Sequence, residues 1–506
     1  MGMKIKDVLQ RDPALYGLVN NGQARIVDTR SDRAMEELRG ELSTFVCEGQ
    51  YAEGVQKIIR SFLDDLGRTS QRAAWVSGFF GSGKSHVLKM LCHLWQNTEF
   101  PDGATARSLV PSMPDDLVAL LRELDTAGKR AGGLLAAAGS LPSGTTENVR
   151  LTILGILIQS IGLPSQYPQA RFCLWLHSQG YYDNVKSAVE AAGKVFDREL
   201  NNLYVSGPIA KAMIACDANF ANSEAEARQV LKAQFPPQPT DITTEEFLRT
   251  AKAALRLAGR DGRFPCTLLI LDEVQQFIGD SNDRSSLITE VTEAVSKQLD
   301  SQVMVVGAGQ SALTDSPRLQ WMLDRYTIRI QLSDAEVETV TRKVLLQKKP
   351  TAMSDVRKML SDHAGEVSRH LQGTRIAERS EDHQVIVEDY PLLPVRRRFW
   401  EQCFRQIDAA GTHSQLRSQL RIIHDAVAKV SDKPLGSVVP ADELYEALAP
   451  EMINTGVLLR EINERIIQLG TSDGPLARRV CGLVFLIGKV HREDTGDIGV
   501  RDVLCL

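Results

Sequence analysis

The 506-residue chain is 43% hydrophobic and 24% charged, the profile of a soluble globular protein long enough for roughly three domains. A formal net charge of −5, from 59 Lys and Arg against 64 Asp and Glu, excludes a chain-wide nucleic-acid coat or basic membrane-surface protein. The eight cysteines (Cys47, Cys92, Cys173, Cys216, Cys266, Cys403, Cys481 and Cys505) form no CxxC pair and no metal-ligand spacing, so reduced, mostly buried thiols in a reducing cytosol are expected.

The amino terminus, Met1 to Asp7, lacks the apolar core of a signal peptide. Met1-Gly2 matches the start of a myristoylation signal, but Lys6 stands where Ser or Thr is needed. The most apolar segment, Leu151 to Gly162, is interrupted by Gln159 and too short to span a bilayer. A cytoplasmic protein with no membrane partner is the expectation.

Residues 1–70 read as an amino-terminal helical segment, with apolar residues at three- and four-residue spacing over Asp32 to Leu42 and again at Val55, Ile58, Ile59, Phe62, Leu63 and Leu66. Gly67-Arg68-Thr69-Ser70 breaks the pattern ahead of a first strand, Ala73 to Ser77. A helix from His86 to Trp95, a proline-bounded helix near Pro114 to Leu124 and a second strand over Gly132 to Ala138 follow. From about 148 to 262 the pattern is almost wholly helical, more than a βαβ crossover needs, which predicts a helical insertion between two strands of one sheet. Partner surface and plain packing are both open readings of it.

Thr267 to Leu271 is a continuous apolar run suited to a strand buried on both faces, and it ends in Asp272-Glu273. Val303 to Val306 is a fourth strand and Thr327 to Gln331, which alternates, a more exposed fifth, with a helix over Ser286 to Leu299 between strands three and four. The fold class expected is α/β: a five-stranded parallel P-loop core over 71–335 with its ligand site at the strands' carboxyl ends. Beyond it, 336–435 reads as a helical lid and 436–506 as a small helical or winged-helix-like module.

The chemistry centres on Gly78-Phe79-Phe80-Gly81-Ser82-Gly83-Lys84-Ser85, the spacing of a phosphate-binding loop between a strand and a helix. Gly78, Gly81, Ser82 and Gly83 let successive backbone N–H groups point inward, and the helix that follows presents its positive end to a polyphosphate. Lys84 would reach the β- and γ-phosphates of ATP and Ser85 would ligate Mg²⁺; His86, next in line, is grouped with the nucleotide-binding residues. The bland alternative is a Gly-rich turn with an incidental lysine.

Asp272, at the end of a buried strand, is placed to hold Mg²⁺ with Ser85, and Glu273 to orient or deprotonate an attacking water. An Asp-Glu helix cap is the competing reading. Gln310, past strand four, would lie between the two motifs if that strand is central; alternatively it is a turn amide. Arg325 can stabilise transition-state charge across a subunit interface, or simply form a local ion pair. Arg417, with Arg421 on the same helix face, would touch the nucleotide from the lid, against a solvated-face alternative. Arg396-Arg397-Arg398, flanked by Tyr390, Phe399 and Trp400, is the one local patch suggesting nucleic acid, with a solvated or ion-paired surface as the rival.

With these residues in place the chain resembles AAA+ ATPases in the order of its loop strand, extra strand, Asp-Glu strand, sensor strand and arginine-bearing last connection. More narrowly, the segments Met3 to Val8, Trp75 to Ser85, Leu271 to Phe277, Tyr390 to Pro394 and Gln415 to Arg421 resemble the BrxC/PglY family of bacterial BREX phage-defence P-loop ATPases. That family is considerably longer, so the resemblance implies an amino-terminal portion. It further implies a homo-oligomer acting with a methyltransferase, a phosphatase-like protein and small BREX components, on or near DNA. An ATP-hydrolysing motor is the leading expectation. A nucleotide-gated DNA- or protein-binding switch is the alternative, and a P-loop kinase a weaker third that the Asp-Glu pair argues against.

Overall fold

The computed structural model describes residues 2–15, 31–78, 83–142, 148–237, 240–310, 312–313, 317–332, 335–369, 371–409, 419–454, 456–490 and 498. The chain divides into two compact units, one of residues 24–79 and 84–333, the other of residues 1–23, 80–83 and 334–506.

In the first unit, helix α1 (Asp32–Ser43) starts where the Ser31 hydroxyl accepts from the Ala34 N–H, an N-cap that satisfies one orphan donor. Helix α2 (Gly49–Asp65) buries Val55, Ile58, Ile59 and Phe62, the stripe its spacing predicts. Five strands follow along the chain: β1 (Ala74–Ser77), β2 (Leu134–Ser140), β3 (Cys266–Asp272), β4 (Val303–Gly309) and β5 (Ile328–Gln331). They form one all-parallel sheet in the order β2-β3-β4-β1-β5. The chain is therefore α/β, as its alternating pattern implies. Every residue of β3 and β4 is buried, whereas β5, at the sheet edge, alternates buried and exposed.

Strand β2 starts two residues later than the apolar run suggests, because Gly132 and Gly133 are its approach and not its body. A Cβ on Gly132 would meet the Arg263 carbonyl oxygen at 2.1 Å, and Gly133 has φ 112, open to glycine. Helices α3 (Lys84–Gln96) and α4 (Asp115–Arg130) carry the chain from β1 to β2. The insertion runs from α5 (Val149–Ser160) to α6 (Thr244–Ala258) and is helical throughout its described length. Its Ile153, Phe172, Leu176 and Phe247 share one continuous core with Trp75, Leu269 and Phe277. Arg150 at its start pairs with Asp241 at 3.3 Å and Glu290 at 3.1 Å. Helices α7 (Val274–Ile278) and α8 (Asn282–Gln298) then join β3 to β4.

Among the described residues, the elements of the second unit are helices joined by loops, with isolated bridges. Its core takes in Ile5, Val8 and Leu9 from the start of the chain, with Leu393, Phe399, Trp400 and Val427. Lys4 pairs antiparallel with Pro434 and Leu9 with Lys348, and both Lys4 and Lys6 reach Asp432, at 3.0 and 2.8 Å.

The Arg396-Arg397-Arg398 run takes the ion-paired reading, in the interior of the unit and not on its surface. Arg396, Arg397 and Arg398, on α10 (Pro394–Ala409), are only 6%, 6% and 9% exposed. Arg398 holds Asp382, at the head of α9 (Asp382–Asp389), through two bonds of 2.7 and 2.6 Å. Arg397 pairs with Glu338, Glu401 and Asp389, and Arg396 donates to the Val439 carbonyl. Guanidiniums taken out of water need such partners, and apart from Glu401 of the same helix these come from other elements.

Among the described residues no helix is long and apolar enough to cross a membrane. The seven described cysteines are free thiols, and Cys47, Cys92, Cys173, Cys266 and Cys403 are buried.

Candidate nucleotide site at the carboxyl edge of the sheet

Strand β1 ends at Ser77 and passes through Gly78; Gly81 and Ser82 lie outside the described residues. Gly83, at φ 83, sits in the left-handed region that glycine takes without a steric penalty, and the chain then turns into α3. Lys84 opens that helix and its ammonium donates to the Gly78 carbonyl. Burial pushes the Lys84 ammonium down to about 8, against the pull of the Asp272 and Glu273 carboxylates.

The Ser85 hydroxyl donates to Asp272 Oδ2 at 2.6 Å, which joins the start of α3 to the end of β3. The other carboxylate oxygen, Oδ1, accepts the Glu273 N–H at 2.9 Å, so both oxygens of this 4% exposed side chain are held. Glu273 has φ 57 and ψ 27, a left-handed backbone that a side-chain-bearing residue adopts at a cost of roughly 1 kcal/mol or more. Strained residues of this kind concentrate at functional sites. The conformation turns the chain sharply from β3 into α7.

Strand β4 lies between β1 and β3, with Gly309 opposite Ser77 and Gly307 opposite Leu271. Gln310 therefore leaves the sheet between the two motifs, as a central fourth strand requires. Its N–H donates to Gln275 Oε1 on α7 at 2.8 Å. In the sequence Gln275 is legible only as a polar side chain three residues past Asp272, the last residue of β3.

The remaining expected residues sit elsewhere. His86 is half-buried and packs edge-on against Phe45, with ring centroids 5.6 Å apart. Burial, reinforced by Lys89 and opposed by Glu41, holds its imidazole below the usual histidine range. Arg325 lies at the opposite edge of the sheet, where its carbonyl accepts from Ala73 N–H at the start of β1. Its guanidinium pairs with Glu293 of α8 at 2.8 Å, and the length of β1, on the order of 13 Å by strand rise, separates it from Ser77. Arg417 lies outside the described residues, and Arg421 is on α11 (Gln419–Val430) of the second unit.

Ser85 and Asp272 offer hard oxygen donors that converge, the donor chemistry that suits Mg²⁺. Among the described residues no group of three or more His, Cys, Asp or Glu side chains could hold a metal. Mg²⁺ commonly takes one or two protein oxygens and completes its shell with water and phosphate. No protein-family model matches the chain.

Proposed function

We propose that this chain is an ATP-binding and ATP-hydrolysing P-loop enzyme of the AAA+ type. The observation that carries the reading is the 2.6 Å contact between Ser85 and Asp272, which brings the phosphate-loop helix and the Asp-Glu strand to one point. A sheet order with β4 between those two motifs supports the AAA+ assignment within the wider P-loop class.

In this reading Lys84 binds the β- and γ-phosphate oxygens, while Ser85 and Asp272 hold Mg²⁺. The ion supplies positive charge that offsets the charge developing on the transferred phosphoryl group. Glu273 orients a water and accepts its proton, Gln310 lies beside the same space, and Arg325 is contributed by a neighbouring copy in a homo-oligomer. The resemblance to BREX phage-defence ATPases extends the proposal to a bacterial antiviral system with methyltransferase and phosphatase-like partners, near DNA.

Turnover by purified protein tests the central claim. Glu273→Gln should keep ATP bound, read by calorimetry, and slow hydrolysis by roughly 10²–10⁴-fold, the contribution of a positioned base. Unchanged turnover sinks the role of Glu273. Mixing inactive Lys84→Ala with inactive Arg325→Ala should partly restore activity if the arginine acts between copies. Nucleotide-dependent assembly with negligible wild-type turnover would favour a switch instead.

A further inference from the structure

We infer that Gln275 is a positioning residue, whose carboxamide ties the exit of β4 to the Asp272–Glu273 corner and so fixes where Glu273 stands; this rests on the ATPase reading above. At the end of β4 the Gln310 N–H has left the parallel ladder and needs an acceptor, and Gln275 Oε1 supplies it at 2.8 Å. The fit is close: a Cβ on Gly309 would lie 3.1 Å from the same oxygen.

What makes this bond more than local satisfaction is the helix it pulls on. Helix α7 is five residues long and is bounded at both ends by left-handed residues, Glu273 at φ 57 and Gly279 at φ 51. Beside the apolar anchors Val274, Phe277 and Ile278, the Gln275 carboxamide links it to the end of β4 on the Glu273 side. Gln275 is two residues from Glu273, so a shift of α7 moves the Glu273 carboxylate relative to the phosphates that Lys84 and Ser85 hold. Lys84 and Ser85 stand on α3, a different element from the α7 that Gln275 holds. The arrangement therefore separates turnover from binding.

Gln275→Leu, which keeps the size and removes the acceptor, should lower kcat by roughly tenfold to hundredfold, the scale of a misplacement near 1 Å. The Kd for Mg·ATP by calorimetry should stay within about threefold, a negligible change beside that loss. Gln275→Glu, which restores an acceptor oxygen at the same reach, should recover most of the lost kcat. Should Gln275→Leu fold poorly, Gln275→Asn, with its oxygen drawn back by one carbon, is the substitute and should show the same split. The inference is overturned if the Leu or Asn variant keeps wild-type kcat, if kcat and affinity fall together, or if Gln275→Glu rescues nothing. Glu273→Gln run alongside separates the two claims: an inactive Glu273→Gln with a fully active Gln275→Leu removes this inference alone, whereas a wild type without turnover removes both.

Discussion

Trp75 of β1 lies across Gly309 of β4 so closely that a Cβ at position 309 would sit 2.4 Å from the indole Cζ2. Gly307 makes the same concession, with a Cβ there 2.9 Å from Cε3. The indole meets Tyr326 edge-on at 5.7 Å, and the Tyr326 hydroxyl bonds to Thr292 of α8 at 2.9 Å. Gly309→Ala should therefore destabilise the first unit by about 1–3 kcal/mol, the usual cost of overpacking. Combining it with Trp75→Phe should return part of that loss, and urea denaturation of the four proteins of this cycle measures the coupling. Strict additivity would show that the indole is not what the glycine accommodates.

The depressed Lys84 ammonium predicts a pH dependence with a defined sign. Its folded value of about 8 lies below the ordinary lysine value of 10.5, so without ligand the folded state gains stability as pH rises between the two. Phosphate favours the charged form and lifts the value back. Affinity for Mg·ATP should then be flat below pH 8 and weaken above it, by up to about tenfold per pH unit. Calorimetry at pH 8.5 in buffers of different ionisation enthalpy should register proton uptake on binding, and uptake should vanish at pH 6.5.

Glu273 predicts a conflict between stability and chemistry. Glycine takes φ 57 freely, so Glu273→Gly should raise the stability of the first unit by roughly 1 kcal/mol while abolishing turnover. Denaturation midpoints and an ATPase assay on the same preparation check both halves. A Gly variant less stable than wild type would mean that the carboxylate holds the turn.

In the second unit, Asp389 is fully buried between Arg342, at 2.6 and 3.2 Å, and Arg397, at 3.4 Å. Asp389→Ala takes from Arg342 and Arg397 the buried carboxylate they share, leaving Arg342 with Glu338 and Arg397 with Glu338 and Glu401, and should cost about 1–3 kcal/mol. A two-unit chain need not unfold in one step, so the sharper readout is hydrogen exchange. Amides of α10 and α11 should lose protection while those of β3 and β4 keep theirs.

The strands are legible because each depends on neighbours in sequence. Thr267 to Leu271 is apolar without a break because both faces are covered, and Lys84 and Ser85 open a helix just past β1, as the spacing of the glycines predicts. What stayed hidden depends on residues far apart. Gln275 matters only because β4 lands between β1 and β3, and the burial of Arg396, Arg397 and Arg398 depends on Glu338, Asp382 and Asp389 arriving from other elements. The early β2 boundary failed for a different reason: Gly132 reads as part of an apolar run, yet the Arg263 carbonyl occupies the space where a side chain would stand.

The salt link from Lys4 to Asp432, 428 residues onward, also sets a schedule for biosynthesis. Ile5, Val8 and Leu9 are translated well ahead of the rest of the core they share, from Leu346 onward, and Asp432 follows Lys4 by the whole of that separation. At about 5–20 residues per second that interval is roughly twenty to ninety seconds. During that time these three apolar residues are without the rest of their core, and the sheet-bearing unit can assemble before them.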